Sequence, residues 1–196
     1  MSAAESHDDG RFADRVAIQD RIYQWCRAVD RRDWDLVRAT FHPDGTDLHG
    51  LYDGNVDGLI EWLKVRHATI TSSNHVVSNI LIEFCGPDIA AVETYCTACQ
   101  RYAPEGAATL AAISGGAANA SGNPVDMLIF GRYVDHFERR NGEWKVFRRV
   151  TVFDNSLMFA VPAGGAKMGA NWTVGRRDAE DAIYKLRHKL GVAPRA

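Results

Sequence analysis

Residues 125–153 read VDMLIFGRYVDHFERRNGEWKVFRRVTVF. Two runs rich in Val, Ile, Phe and Tyr flank Asn141-Gly142. That dipeptide suits a two-residue hairpin turn, because both of its residues tolerate positive φ. The stretch therefore predicts paired antiparallel strands over 125–139 and 143–153. Upstream, 74–84 and 89–102 read as two more strands joined at the turn Gly86-Pro87-Asp88.

The first half of the chain is helical in pattern. Ile18, Ile22, Cys26 and Val29 recur at spacings of four, four and three, which lines one face of a helix over 11–30. A second short helix fits 33–41, with Asp33 as its N-cap. His42-Pro43-Asp44-Gly45 breaks it, an extended piece runs over 46–52, and Asp53-Gly54 reads as a turn. A third helix over 56–69 carries Leu59, Ile60 and Leu63. Three helices followed by a meander make an α+β fold, and a strongly twisted sheet of long strands curls. The expected architecture is a cone-shaped barrel of strongly curved mixed or antiparallel sheet wrapped around the three helices, with an apolar hollow between the layers. Residues 1–10 read as disordered, 11–154 as the domain, and 155–196 as an extension that is irregular to 175 and ends in a helix over 178–190. The Ala/Gly/Ser-rich segment 104–124 reads as a long loop.

Length and charge narrow the function. A chain of 196 residues with net charge −2 suits one domain and has no field for nucleic acid, since its basic residues occur as pairs such as Arg31-Arg32 and Arg148-Arg149. No apolar run reaches the roughly 18 residues of a membrane span. The polar, acidic start MSAAESHDDGRF is unlike a signal peptide, so cytoplasmic residence is expected. Cys96 and Cys99 have the spacing of a metal or redox knuckle but lie in a strand, where residues three apart face opposite ways. They read as reduced packing residues, and no metal is expected. Phosphate-loop, nucleophile-elbow and zinc-protease motifs are absent from the sequence.

Three residues could carry chemistry. Asp30 borders the buried stripe of the first helix, near a C-terminus where negative charge is unfavourable, so helix stability does not explain it. His75 opens the strand HVVSNILIEF on the same face as Val77, Asn79 and Leu81 by simple alternation, and imidazole titrates near neutral pH. In KVFRRVTVF, Phe147, Arg149, Thr151 and Phe153 share a face, and an inward guanidinium demands a partner. Asp30 and Glu93 are candidates, or Arg149 could bind an anionic leaving group. His49 could reach the mouth of the hollow. His42, in a turn, His67, late in a helix, His136, outward, and His188 are weaker.

The segments AIQDRIYQWCRAVDRRDWDLVRATFHPDG, SNHVVSNILIEF and IFGRYVDHFERRNGEWKVFRRVTVFD, spread over 14–154, resemble the SnoaL-like branch of the nuclear-transport-factor-2-like superfamily, whose fold is cystatin-like. Within it the sequence is most similar to the group holding scytalone dehydratase, bile acid 7α-dehydratase and γ-hexachlorocyclohexane dehydrochlorinase. The resemblance implies a His base supported by an Asp on the first helix, which fall here on His75 and Asp30, and an Arg that falls on Arg149. Trp25 stands where those enzymes have Tyr or Lys, Asp47 stands where the dehydrochlorinase has an aromatic, and segment 104–124 is longer.

The implied activity is that of a cofactor-independent lyase, a dehydratase or dehydrohalogenase, acting on a small cyclic or polycyclic apolar substrate. Tyr23, Trp25, Phe41, His49, Tyr52, Trp62, Asn79, Met127 and Ile129 would form its binding wall, with Arg149, Tyr23 or Tyr52 assisting departure of the leaving group. The alternatives are an isomerase or polyketide cyclase, in which Asp30 moves the proton, and a non-catalytic ligand-binding or dioxygenase β-subunit-like protein. No nucleic-acid or membrane partner is expected. Tyr95, Val134 and Phe147 are candidates for an outer sheet face that a homodimer or homotrimer would cover, with 155–196 crossing between subunits or closing the hollow.

Overall fold

The computed structural model describes residues 9–116, 122–162 and 169–193. Helix α1 (Phe12–Arg31) and the short α2 (Trp34–Ala39) lead into β1 (Phe41–His49) and β2 (Tyr52–Asn55). Helix α3 (Val56–His67) follows, then β3 (Ile70–Phe84), β4 (Ile89–Tyr102), α4 (Ala107–Ile113), β5 (Val125–Arg140), β6 (Glu143–Ala160) and α5 (Ala182–Lys189). The six strands form one sheet in the order β2-β1-β6-β5-β4-β3. All neighbours are antiparallel except β1 and β6, so the sheet is mixed. It is open, with β2 and β3 as its edges, so the barrel expectation gives way to a curved sheet with helices packed on its inner face.

The hairpin forms as its sequence predicts. Asn141 and Gly142 take φ of 52° and 83°, and Arg140 pairs with Glu143. The α1 stripe is buried as expected: Ile18, Ile22, Cys26 and Val29 all face the core. Trp25, also on α1, packs edge-on against Phe41 and Tyr133 with centroids 5.6 and 6.2 Å apart. Asp33 caps α2 by accepting from the Leu36 amide, and Asn55 caps α3 through the Gly58 amide.

Several boundaries differ from the sequence reading. Phe41 begins β1 instead of ending α2, and His42 is not in a turn: its buried ring bonds the Glu138 carbonyl at 2.9 Å. The turn after β1 is Gly50-Leu51, joining the paired residues His49 and Tyr52, with Gly50 at φ 65°. Asp53-Gly54 lies within β2. Segment 104–124 contains α4, and β6 continues through 155–160, where the sequence suggests irregular chain. The expected disorder of 1–10 falls largely outside the described residues, which begin at 9.

Among the irregularities that bend the long strands and break alternation, three bear on the site. Asn79 (φ 45°) sits in a bulge of β3. The β5–β6 register shifts between Phe130 and Gly131 and again between His136 and Phe137. Gly131 is confined to glycine, because a Cβ there would collide with the Val152 carbonyl oxygen.

Candidate active site

Helix α1 delivers Asp30 to the start of β3. His75 Nδ1 lies 2.6 Å from Asp30 Oδ1, the His75 amide donates to Oδ2 at 2.9 Å, and Ser73 Oγ donates to Oδ1 at 2.7 Å. Both side chains are largely buried. Burial works to raise the Asp30 carboxyl, but the His75 and Ser73 hydrogen bonds outweigh it and hold the group below its ordinary value. Nδ1 is thereby committed to the carboxylate, and the ring faces a cavity of ≈ 250 Å³.

That cavity is mostly apolar. Trp62, Cys96, Ala98, Ile113, Met127 and Ile129 supply its walls, and His49, Arg66, Gln100 and Thr151 its polar points. Of the residues expected to line it, His49, Trp62, Met127 and Ile129 do so together with His75. Trp62 lies between Tyr52 and His49, with ring centroids 6.0 and 5.5 Å away.

The other expectations are corrected. Tyr23 is half exposed on α1 and outside the cavity. Trp25 and Phe41 are core residues behind the wall. Tyr52 packs against that core and directs its hydroxyl to the Asn55 carbonyl. Asn79 is exposed, because the bulge it forms removes it from the face of His75. Arg149 faces inward but does not reach the cavity lining. It makes a two-pronged bond with Asp135 at 2.8 and 2.7 Å, and its guanidinium lies 4.5 Å from the Trp25 ring and 4.2 Å from that of Tyr133. Glu93, its other candidate partner, pairs with Arg132 instead. Burial pushes the Asp135 carboxyl up, opposed by the Arg149 charge.

Four features were not anticipated. Ser73 supports the dyad carboxylate. Asp47, fully buried, stands 3.3 Å from His49 Nδ1, and Thr151 Oγ1 lies 3.1 Å from the same nitrogen. Arg66 reaches the cavity from α3. Arg177 comes from the extension and donates to the carbonyls of Val29, Asp30 and Ile70 and to His67 Nδ1. It neutralises the helix end that Asp30 burdens. Burial, with Arg32 nearby, lowers its guanidinium to about 10. Arg66 and His67 were visible in principle, since they follow Leu59, Leu63 and Ile60 at helical spacing on the buried face of α3.

Cys96 and Cys99 diverge, one on the cavity wall and the other exposed, and burial raises the Cys96 thiol. Among the described residues no group of three metal-ligating side chains exists, and no helix is long and apolar enough to cross a membrane.

Residues 10–150 match the model of the SnoaL-like domain. The chain belongs to the SnoaL-like family. A protein assigned as a scytalone dehydratase from Novosphingobium aromaticivorans superposes with a TM-score of 0.62 at 19% identity, covering 83% of this chain and 99% of that one. A hexachlorocyclohexane dehydrochlorinase of LinA type 3 from Novosphingobium barchaimii gives 0.62 at 20%, covering 78% and 97%. A Mycobacterium tuberculosis protein of unknown function gives 0.57 at 18%, covering 96% and 93%, so that match extends into the C-terminal region. At these identities the likeness is one of fold. No curated protein matches the chain.

Proposed function

We infer that this SnoaL-like protein is a cofactor-independent lyase of the dehydratase or dehydrohalogenase type, with His75 as the base. The carrying observation is the 2.6 Å contact between His75 Nδ1 and Asp30 Oδ1 on the wall of an apolar cavity. The carboxylate fixes the tautomer, leaves Nε2 to take a proton from carbon, and stabilises the imidazolium that forms. The C–H electrons become a double bond as hydroxide or halide departs from the adjacent carbon. Arg149 and the two tyrosines do not stand at the cavity to assist. His49 does, and with Asp47 behind it this imidazole is placed to give a proton to departing hydroxide.

Asp30 is less suited to move the proton itself, as an isomerase would require, because its oxygens already accept three hydrogen bonds. The scytalone dehydratase and dehydrochlorinase among its structural neighbours favour this reaction class. The test is appearance of alkene absorbance from hydroxylated and halogenated alicyclic compounds. His75→Gln should lose at least 100-fold in kcat, in line with the usual contribution of general-base catalysis, and Asp30→Asn should lose less. Unchanged turnover in His75→Gln refutes the assignment. We also propose self-association through the outer sheet face, where Val76, Tyr95 and Val134 are exposed. A monomer at micromolar concentration in sedimentation would dismiss it.

A further inference from the structure

Arg66 is a cation without an anion. It is only 9% exposed, and among the described residues no carboxylate lies within ion-pairing distance of it. Its Nη2 donates to Gln100 Oε1 at 2.9 Å and to the Tyr102 hydroxyl at 3.3 Å, both neutral, while Nε makes no hydrogen bond. A guanidinium has five N–H donors, and a buried one is ordinarily matched by a carboxylate or phosphate. Of the nearby acids, Asp30 is engaged by His75 and Ser73, while Asp47 lies 3.3 Å from His49 Nδ1, its oxygens without a hydrogen bond and not within ion-pairing distance of Arg66. Arg177 adds a second buried cation at this end of the molecule, held by three carbonyls and His67 Nδ1 and bonded to no carboxylate. The field is felt locally, since His67 lies well below its ordinary range through burial and then through the charges of Arg66 and Arg177.

The position of Arg66 relates it to the dyad. Gln100, which orients it, follows Ala98 by two residues on β4, and Ala98 pairs with His75. Two strand residues span about 7 Å, roughly the width of one six-membered ring with a substituent. Between the two points the lining is apolar, with Ala98, Met127 and Ile129.

We propose that Arg66, oriented by Gln100 and Tyr102, binds a carboxylate of the substrate, so that the cavity takes a hydrophobic acid whose anionic end stands about one ring from His75. This rests on the cavity being the substrate site, as in the proposed lyase, but not on the reaction performed there. Arg66 is a binding residue, and its fork suits the two oxygens of a carboxylate.

The test compares 2-naphthoate with its uncharged analogue 2-naphthamide by isothermal titration calorimetry on the full chain. The wild type should bind the acid at least tenfold more tightly than the amide. Arg66→Met should abolish that preference, and Arg66→Lys should restore part of it. Gln100→Leu should reduce it, which gives a second reading should Arg66→Met not fold. Equal affinity for acid and amide, no binding of the acid, or a preference that survives Arg66→Met would each overturn the proposal. The two readings fail separately. A His75→Gln protein that turns over as wild type dismisses the base and leaves the anchor standing. Loss of acid preference with elimination intact does the reverse.

Discussion

Arg177 Nε donates a 2.8 Å hydrogen bond to the carbonyl oxygen of Asp30, the residue whose side chain holds His75. One residue is thus gripped twice, by the extension at its backbone and by the dyad at its carboxylate. Arg177→Met removes a donor from the carbonyls of Val29, Asp30 and Ile70, of which Val29 keeps the long 3.4 Å contact from the Arg32 amide, and loosens the extension, which Tyr184 also ties to Asp33. Each buried carbonyl left unpaired costs about 1–3 kcal/mol. A fall in Tm of several degrees should accompany faster proteolytic cleavage beyond residue 160. A variant with an unchanged melt and cleavage pattern would show that the extension is held by other contacts.

The Asp30 carboxyl titrates below its unfolded value of about 3.9. A lowered acid stabilises the fold above that unfolded value, and the contribution disappears as pH falls through the folded value. Wild type and Asp30→Asn should therefore differ most in stability at pH 5–7 and converge below about pH 4. Urea unfolding across that range measures it. Curves that stay parallel down to pH 3 would contradict the lowered acid.

Arg149 and Asp135 are both wholly buried. Removing one partner leaves an uncompensated charge, which typically costs about 3–5 kcal/mol, whereas replacing both with apolar residues is far milder. Arg149→Met should lower the urea midpoint sharply, and Asp135→Leu added to it should recover part of the loss. A double variant no better than the single would mean that Asp47, also buried beside this pair, dominates the cost.

Asn79 and Gly131 mark where backbone and not side chain decides. Asn79→Gly should be neutral or slightly stabilising because φ is positive there, while Asn79→Val should cost about 1–2 kcal/mol, and neither should alter ligand binding. Gly131→Ala should destabilise more and also deform the cavity wall. Thermal melts with 2-naphthoate titrations separate the two positions, and weakened binding in Asn79→Gly would return Asn79 to the site.

The dyad was legible because regular elements carry it. Helical spacing puts Asp30 at the edge of the α1 stripe, and His75 lies between the register shift at Ile70/Ser72 and the bulge at Asn79, in a stretch of β3 where alternation holds. Asn79 was misassigned because that bulge falls on it. Arg149 was placed inward correctly, but counting from the Asn141-Gly142 turn without a bulge sets Val134, not Asp135, opposite it. The shift between His136 and Phe137 supplies the true partner, and nothing local in the sequence announces it. Arg66 and Arg177 escaped notice because a cation in an amphipathic helix or an irregular extension reads as solvated. The helical spacing of Arg66 with Leu59 and Leu63 marks the buried face of α3, whereas only three-dimensional packing reveals that Arg177 is enclosed.

Strand order also has a consequence for biosynthesis. The final strand, β6, lies between β1 and β5, so two pieces made early, β1–β2 and β3–β5, share no hydrogen-bonded neighbour until residues 143–160 leave the ribosome. A nascent chain halted at 142 would hold half-sheets with unpaired inner edges, exposed to wrong partners for as long as translation pauses there.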